Sequence, residues 1–390
     1  MAASEGEIWA QLPTIADVLQ HPAFPTATWQ LEPTRSGLLP VAEGRGGPLN
    51  ISWEIHGEGP IKLFFIMGLG SFKNSWQRQT LQFGHEHSKT YSVLILDNRG
   101  MGDSDVPLMR YSTSEMARDA IEVLAHVGWL PANVLDPSPS SSPSPSSVEG
   151  GAQPGRTLHV LGISMGGMIA QELACLVPQH ISTLSLLCTA AAIENTTTFW
   201  ENMVQRAQML VPKSLESSVR GGAESMFPLS YLPAADDIHL PDPKTTPGVH
   251  PPGGPGGQGE YLHFNNNYER FVAGEMQKRV DAKRFTAKGF LLQLIAAGWH
   301  HKSREQLSEM ADKLGRKRIL VLHGTGDRMI SVPHGRKLID LLGGTEGTGL
   351  EGLIVPDMGH VPALERTEWF HGLVEERVRK GEKLDGREVP

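Results

Sequence analysis

Three residues far apart in the chain have the types that nucleophilic acyl chemistry needs: Ser164, Asp327 and His360. Ser164 sits in Gly162-Ile163-Ser164-Met165-Gly166, where an apolar run ends. A hydroxyl is a poor nucleophile until a base takes its proton, and an imidazole base works best when a carboxylate orients it. Asp327 follows the run RILVLHG (318–324) and His360 follows LEGLIVP (350–356), so both fall in loops just beyond apolar runs. The order Ser, Asp, His is the one expected when a G-x-S-x-G turn is followed by its partners. With 43 glycines in 390 residues, the five-residue pattern also arises by chance. What raises it above chance is the setting, a strand before the serine and a helix after it.

That setting explains the residue types. A serine forced into a tight corner brings backbone segments together, and glycines on both sides allow it. The helix that starts at Met165 aims free N–H groups and its positive dipole end at the space above Ser164, where an oxyanion would form. A second donor is expected from the loop FIMGLGSF, where Gly68, Leu69 and Gly70 let a backbone amide turn inward. The two candidate donors are therefore the amides of Leu69 and Met165. A tight turn that only packs a helix on a strand would use the same glycines. Among other histidines, His323 reads as a partly buried structural residue, and His300 and His301 as a solvated helix end. Glu194 is the second candidate for the acid, and Asp357 reads as a loop cap.

The elements that must position these residues alternate. IKLFFIM (61–67), YSVLILD (91–97), TLHVLGI (157–163), ISTLSLLC (181–188), RILVLHG and LEGLIVP are short apolar runs rich in β-branched residues. Helices are expected over SFKNSWQRQTLQFG, over YSTSEMARDAIEVLAHVGW, over Met165–Leu176, near 333–342 and over 361–379. Ser112 and Glu115 have capping-box spacing. Strands alternating with helices specify an α/β fold, a mostly parallel central sheet flanked by helices. Between 191 and 304 the alternation gives way to helical patterns, expected to form a helical cap inserted after the sixth strand. The expected division is an N-terminal extension (1–49), a core (50–190 and 305–385), a disordered Pro/Ser-rich insertion (137–156), and a disordered Pro/Gly-rich loop (241–260) within the cap.

A net charge of −8 without a Lys/Arg cluster argues against a nucleic-acid surface, and no obvious bias toward acidic substrates is visible. Two cysteines, Cys175 and Cys188, are too few for a disulfide framework or a cysteine metal site and read as small core residues. No metal or organic cofactor is required by the candidate chemistry. The start MAASEGEIWAQLP does not read as a targeting segment, and no run of eighteen apolar residues suggests a membrane span. A cytoplasmic protein acting on a small molecule is the expectation, with oligomeric state left open.

The 162–166 turn, the turn DNRGMGDS (97–104), the Gly68-Leu69-Gly70 loop, Asp327 and His360 together resemble the α/β-hydrolase superfamily over roughly residues 50–190 and 305–380. The stretch GISMGGMIAQELA is similar to the corresponding turn of enol-lactonases, small esterases and cofactor-free haloperoxidase-type hydrolases, and its Ser-Met-Gly-Gly-Met core to that of homoserine acetyltransferases. Met67 departs from the pattern, since many members have His there. The resemblance implies a serine hydrolase acting on an ester, lactone or thioester, with acyl transfer or a non-catalytic small-molecule receptor as alternatives. Ser164 argues against epoxide hydrolases and haloalkane dehalogenases, which place Asp at that position. Trp200, Met203, Phe290 and Trp299 of the cap are the expected substrate-binding residues, and an apolar pocket is the expected character.

Overall fold

A computed structural model describes residues 5–135, 155–194 and 214–389. The Pro/Ser-rich insertion expected at 137–156 lies almost wholly outside the described residues, as do Trp200 and Met203.

Eight strands form one sheet: β1 (Arg35–Val41), β2 (Leu49–His56), β3 (Ile61–Ile66), β4 (Tyr91–Leu96), β5 (Leu158–Ile163), β6 (Ile181–Leu187), β7 (Ile319–Gly324) and β8 (Glu351–Val355). Their spatial order is β1-β2-β4-β3-β5-β6-β7-β8. Only β2 runs antiparallel to its neighbours; the remaining pairings are parallel. The apolar runs of the central strands follow from this, because a parallel sheet covered on both faces buries every residue. Successive side chains of β3 divide between the faces: Phe64 and Ile66 enter one cluster with Met116, Ile121 and Leu173, whereas Leu63 and Phe65 enter another with Trp76, Phe83 and Phe370.

The first cluster is covered by α1 (Thr113–His126) and α2 (Met165–Leu176). Ser112 caps α1 by accepting from the Glu115 amide at 3.1 Å, in keeping with the spacing noted above. The single helix expected over SFKNSWQRQTLQFG is instead a 3-10 turn (Lys73–Trp76), a short α turn (Gln77–Gln79) and a wide π turn (Thr80–Glu86). The wider turn buries Leu81, Phe83 and His85 together, which 3.6-residue spacing would not do.

Two further expectations differ from the structure. Residues before Leu49 are not simply an extension: β1 pairs with β2 over its whole length, from Arg35 opposite Ile55 to Val41 opposite Leu49. As an edge strand containing Pro40 and largely exposed, β1 lacks the apolar run that marks the others. Segment 241–260 is laid out as turns, and Val249–His250 pairs antiparallel with Gln30–Leu31. Its order comes from partners distant in sequence: the Glu32 amide donates to the Gly248 carbonyl at 2.7 Å, and His85 Nδ1 lies 2.9 Å from the Pro247 carbonyl oxygen.

Between β6 and β7 come α3 (Leu215–Met226), α4 (Asn267–Val280), α5 (Ala287–Gly298) and α6 (Arg304–Leu314). Val219, Phe227, Tyr268 and Val272 from this region share a cluster with Trp9, Ile15 and Val18 near the N-terminus. Val332–Leu341 (α7) and Thr367–Leu384 (α8) follow in the last third, and a short helix at Pro362–Glu365 precedes α8, so the single helix expected over 361–379 is broken at Arg366. No helix among the described residues is long and apolar enough to cross a membrane.

The buried Arg99 guanidinium locks the 97–104 turn to α1, with Nε 2.6 Å from Asp119 Oδ2 and Nη2 2.7 Å from Oδ1. Burial pushes the Asp119 carboxyl up, and Arg99 and Arg45 counter that. Arg99→Met strands Asp119 with Arg45 alone, and the expected loss is about 3 kcal/mol in urea unfolding. A loss too small to shift the midpoint would show that the pair does not hold the turn.

Candidate active site

Sheet register brings the candidate residues to one edge. Ile66 lies opposite Gly162, Ile163 opposite Leu187, Leu187 opposite Leu322, and Gly324 opposite Val355. Strands β3, β5, β6, β7 and β8 therefore release their chains side by side at their carboxyl ends, where open α/β sheets place their sites. Ser164, Asp327 and His360 all emerge there, and all three are buried.

Ser164 has φ 58° and ψ −124°, a strained conformation for a residue with a side chain. Its amide donates to the Leu187 carbonyl at 2.9 Å, and its carbonyl accepts from Thr189 Oγ1 at 2.7 Å. The flanking glycines are required by contact: a Cβ at Gly162 would lie 2.2 Å from the Gly166 carbonyl oxygen, and one at Gly166 would lie 2.2 Å from the Ile66 carbonyl oxygen.

Asp327 Oδ2 and His360 Nδ1 are 2.7 Å apart. A carboxylate only accepts, so Nδ1 carries the hydrogen and the neutral ring keeps its lone pair on Nε2. Asp327 is held in turn by the amides of Met329 and Ile330, both donating to Oδ1 at 2.9 Å. Burial alone would raise this carboxyl, but His360 and His323 pull it down to about 2. His323, expected as a partly buried structural residue, is fully buried, and its Nε2 lies 2.7 Å from the Ile330 carbonyl oxygen and 3.3 Å from Asp327 Oδ2. Cys188 is also close, its sulfur lying with an Asp327 oxygen and a His360 nitrogen inside a 4.8 Å group. Burial, with Asp327 adding to it, pushes its thiol well above its ordinary pKa.

The Gly68-Leu69-Gly70 loop passes directly over the serine, where a Cβ on Gly68 would meet Ser164 Cβ at 3.0 Å and Oγ at 3.5 Å. Two buried amides secure this loop. Asn98 Nδ2 donates to the Met67 carbonyl at 3.0 Å. Gln293 of α5 accepts from the Gly70 amide at 2.9 Å and donates to the Arg99 carbonyl at 2.9 Å. Met165 is the first residue of α2, so its N–H has no intrahelical partner. Leu69 and Met165 thus flank the serine from the loop and the helix.

The competing residues lie elsewhere. Glu194 Oε2 is 2.6 Å from Lys337 Nζ at the surface. His300, expected at a solvated helix end, is buried, with Nδ1 2.8 Å from Thr113 Oγ1. Burial, with Lys302 and His301 adding to it, pushes its pKa down to about 3.

A cavity of about 380 Å³ adjoins this edge, and Ser164, Leu69, Met165, Asp327 and His360 are not themselves among its lining residues. Met67 and Ser71 line it from either side of the Gly68-Leu69-Gly70 loop, and Val361 lines it next to His360. Phe227 and Phe271 supply apolar wall, but Arg78, Arg270, Lys278 and Arg284 line it as well, so its character is not simply apolar. Of the expected substrate residues, Phe290 packs at the loop, where a Cβ on Gly70 would be 2.9 Å from its ring. Trp299 is not brought to the cavity: it is 67% exposed, with the Arg110 guanidinium 4.8 Å from its ring centroid. It caps the end of α5, two residues past Ala297, the last buried residue of that helix.

The chain matches the family described as "Alpha/beta hydrolase family" over residues 55–373 and belongs to it. It is 27% identical over 155 residues to the dihydrolipoyllysine-residue acetyltransferase component of an acetoin cleaving system of Pseudomonas putida, covering 40% of this chain and 34% of that protein. It is 25% identical over 176 residues to 3-oxoadipate enol-lactonase 2 of Acinetobacter baylyi, covering 45% of this chain and 53% of that protein. The matches thus span between a third and about half of those relatives. The fold is similar to that of the enol-lactonase from Burkholderia xenovorans, at TM-score 0.57 and 18% identity, covering 88% of this chain and 99% of that one.

The depressed Asp327 carboxyl has a pH consequence. Its folded value of about 2 lies below the ordinary 3.8, so the stabilisation is complete above the ordinary value and lost as pH falls through the folded one. The stability gap between wild type and Asp327→Asn is expected to narrow by about 2 kcal/mol from pH ~4 to pH ~2 in urea unfolding. A gap independent of pH would show that His360 and His323 do not hold the carboxyl down.

Proposed function

We propose that this chain is a serine hydrolase that cleaves a carboxylic ester, lactone or thioester of a small molecule through an acyl-enzyme, with Ser164 as nucleophile, His360 as base and Asp327 as the acid that orients it. The observation that carries this reading is the buried Asp327–His360 pair at the same sheet edge as a serine in strained backbone.

His360 Nε2 takes the hydroxyl proton as Ser164 Oγ attacks the acyl carbon. The carbonyl oxygen gains negative charge and is met by the Leu69 and Met165 amides, aided by the dipole of α2. Collapse expels the alkoxide or thiolate, which takes the proton from His360. Water then attacks the acyl-enzyme, giving its proton to His360, and release of the acid returns Ser164 to its starting form. Asp327 keeps the hydrogen on Nδ1 throughout, leaving Nε2 to exchange protons. No step needs a metal or an organic cofactor.

Acyl transfer by the same residues is the second reading, favoured by the likeness to a protein named as an acetyltransferase component. Water and an acceptor alcohol or thiol would compete for one acyl-enzyme, so product analysis with added acceptor separates the two. Hydrolysis alone predicts no acylated acceptor.

A fluorophosphonate probe is expected to label Ser164, located by mass spectrometry of the peptide. Ser164→Ala is expected to lower kcat/KM for aryl esters by about a thousandfold or more. An unlabelled serine together with unchanged turnover in the alanine variant would sink the enzyme reading and leave the receptor alternative.

A further inference from the structure

The cavity beside the candidate site has a charge that the chain as a whole does not. Its lining holds four cationic side chains, Arg78, Arg270, Lys278 and Arg284, against one carboxylate, Glu275, in a protein of net charge −8. Three of the four cations have carboxylate partners: Arg270 Nε is 2.7 Å from Asp236, Lys278 Nζ is 2.6 Å from Glu275, and Arg284 Nε is 2.8 Å from Asp103.

Arg78 differs. It is 6% exposed, and its Nη1 donates to the Leu364 carbonyl at 2.6 Å and to Thr367 Oγ1 at 2.9 Å. No carboxylate stands within ion-pair distance of it among the described residues; burial depresses its pKa, and Tyr231 and the more distant Asp236, itself bonded to Arg270, offset that only in part. A buried guanidinium without an anion is costly, because neutral acceptors do not replace the charge that water would solvate. A cation so placed on a cavity wall would gain from an anion that arrives from outside.

We propose that the molecule cleaved carries a carboxylate that Arg78 binds while its ester, lactone or thioester bond lies at Ser164; this rests on the serine hydrolase reading above. Carboxylate fits better than phosphate, because one unmatched cation balances one negative charge and a dianion would bury a second without a partner. Guanidinium geometry also suits two parallel hydrogen bonds to a carboxylate. About 380 Å³ lies near the small end of ligand cavities, which points to a short half-ester of a diacid or a lactone of similar size.

The test uses the full chain and two matched substrates, the mono-p-nitrophenyl ester of glutaric acid and the methyl ester of that compound. Wild type is expected to favour the free carboxylate by roughly ten- to a hundredfold in kcat/KM. Arg78→Met should collapse that ratio toward one, and Arg78→Lys should retain part of it. Glutarate, but not glutaramide, should slow fluorophosphonate labelling of wild-type Ser164, a comparison that needs no variant and no turnover of either ester. Equal treatment of the two esters, or equal effects of glutarate and glutaramide where neither ester is turned over, overturns the carboxylate seat while a labelled Ser164 leaves the hydrolase reading standing. A preference that survives in Arg78→Met removes Arg78 from the role. A Ser164 that cannot be labelled overturns the hydrolase reading itself.

Discussion

The Ile66 carbonyl approaches Gly166 so closely that a Cβ there would lie 2.2 Å from its oxygen, and the candidate site is built around that approach. It seats the first turn of α2 on the end of β3, while Gly162 lets the same turn fold back over β5. Between them Ser164 is left in a conformation that a non-glycine residue adopts only at a cost of about 1–3 kcal/mol. The surrounding bonds impose it: the Ser164 amide is tied to β6, and its carbonyl to Thr189. A larger residue at either glycine would lift the helix from the sheet and carry the Met165 amide away from the serine.

Holding the opposite wall is a separate problem, because a glycine loop has little to stiffen it. Here the stiffening comes from side-chain amides whose own positions are fixed by burial. Asn98 takes the Met67 carbonyl, and Gln293 reaches from α5 to bridge the Gly70 amide and the Arg99 carbonyl. Arg99 is locked to α1 through Asp119. Helix α5 of the inserted region is therefore bonded to the loop beside the serine, and a shift of that helix would move a candidate oxyanion donor.

Those dependencies explain which parts were legible in sequence. Apolar runs closed by turn residues mark the buried parallel strands because both faces of the sheet are covered, and β3 to β8 were read within a residue or two. β1 escaped because an exposed edge strand has no such run. Ser164, Asp327 and His360 were legible because each sits at the end of such a run, so strand order places them even without coordinates. Gln293, Asn98 and Arg78 were not, since their roles arise from contacts made by polar side chains across about 30 to nearly 290 residues of chain. No local pattern distinguishes a glutamine that bridges two loops from one that faces solvent. His323 shows the same limit: a histidine in an apolar strand reads as structural, and only the fold puts its ring against Asp327.

Charge was the property for which composition informed least. A net −8 describes the average surface, whereas the environment of a substrate is set by a few groups in a small, water-poor volume where each charge is weakly screened. Around the cavity most cations are neutralised by acids on neighbouring elements, so a count of lining residues overstates the field and the pairing pattern describes it. After that subtraction Arg78 remains, held by the Leu364 carbonyl and the Thr367 hydroxyl, which fix its direction without cancelling its charge. A cation oriented in advance by neutral acceptors gains more from an incoming anion than a flexible one at the surface, because the ordering cost has already been met in folding.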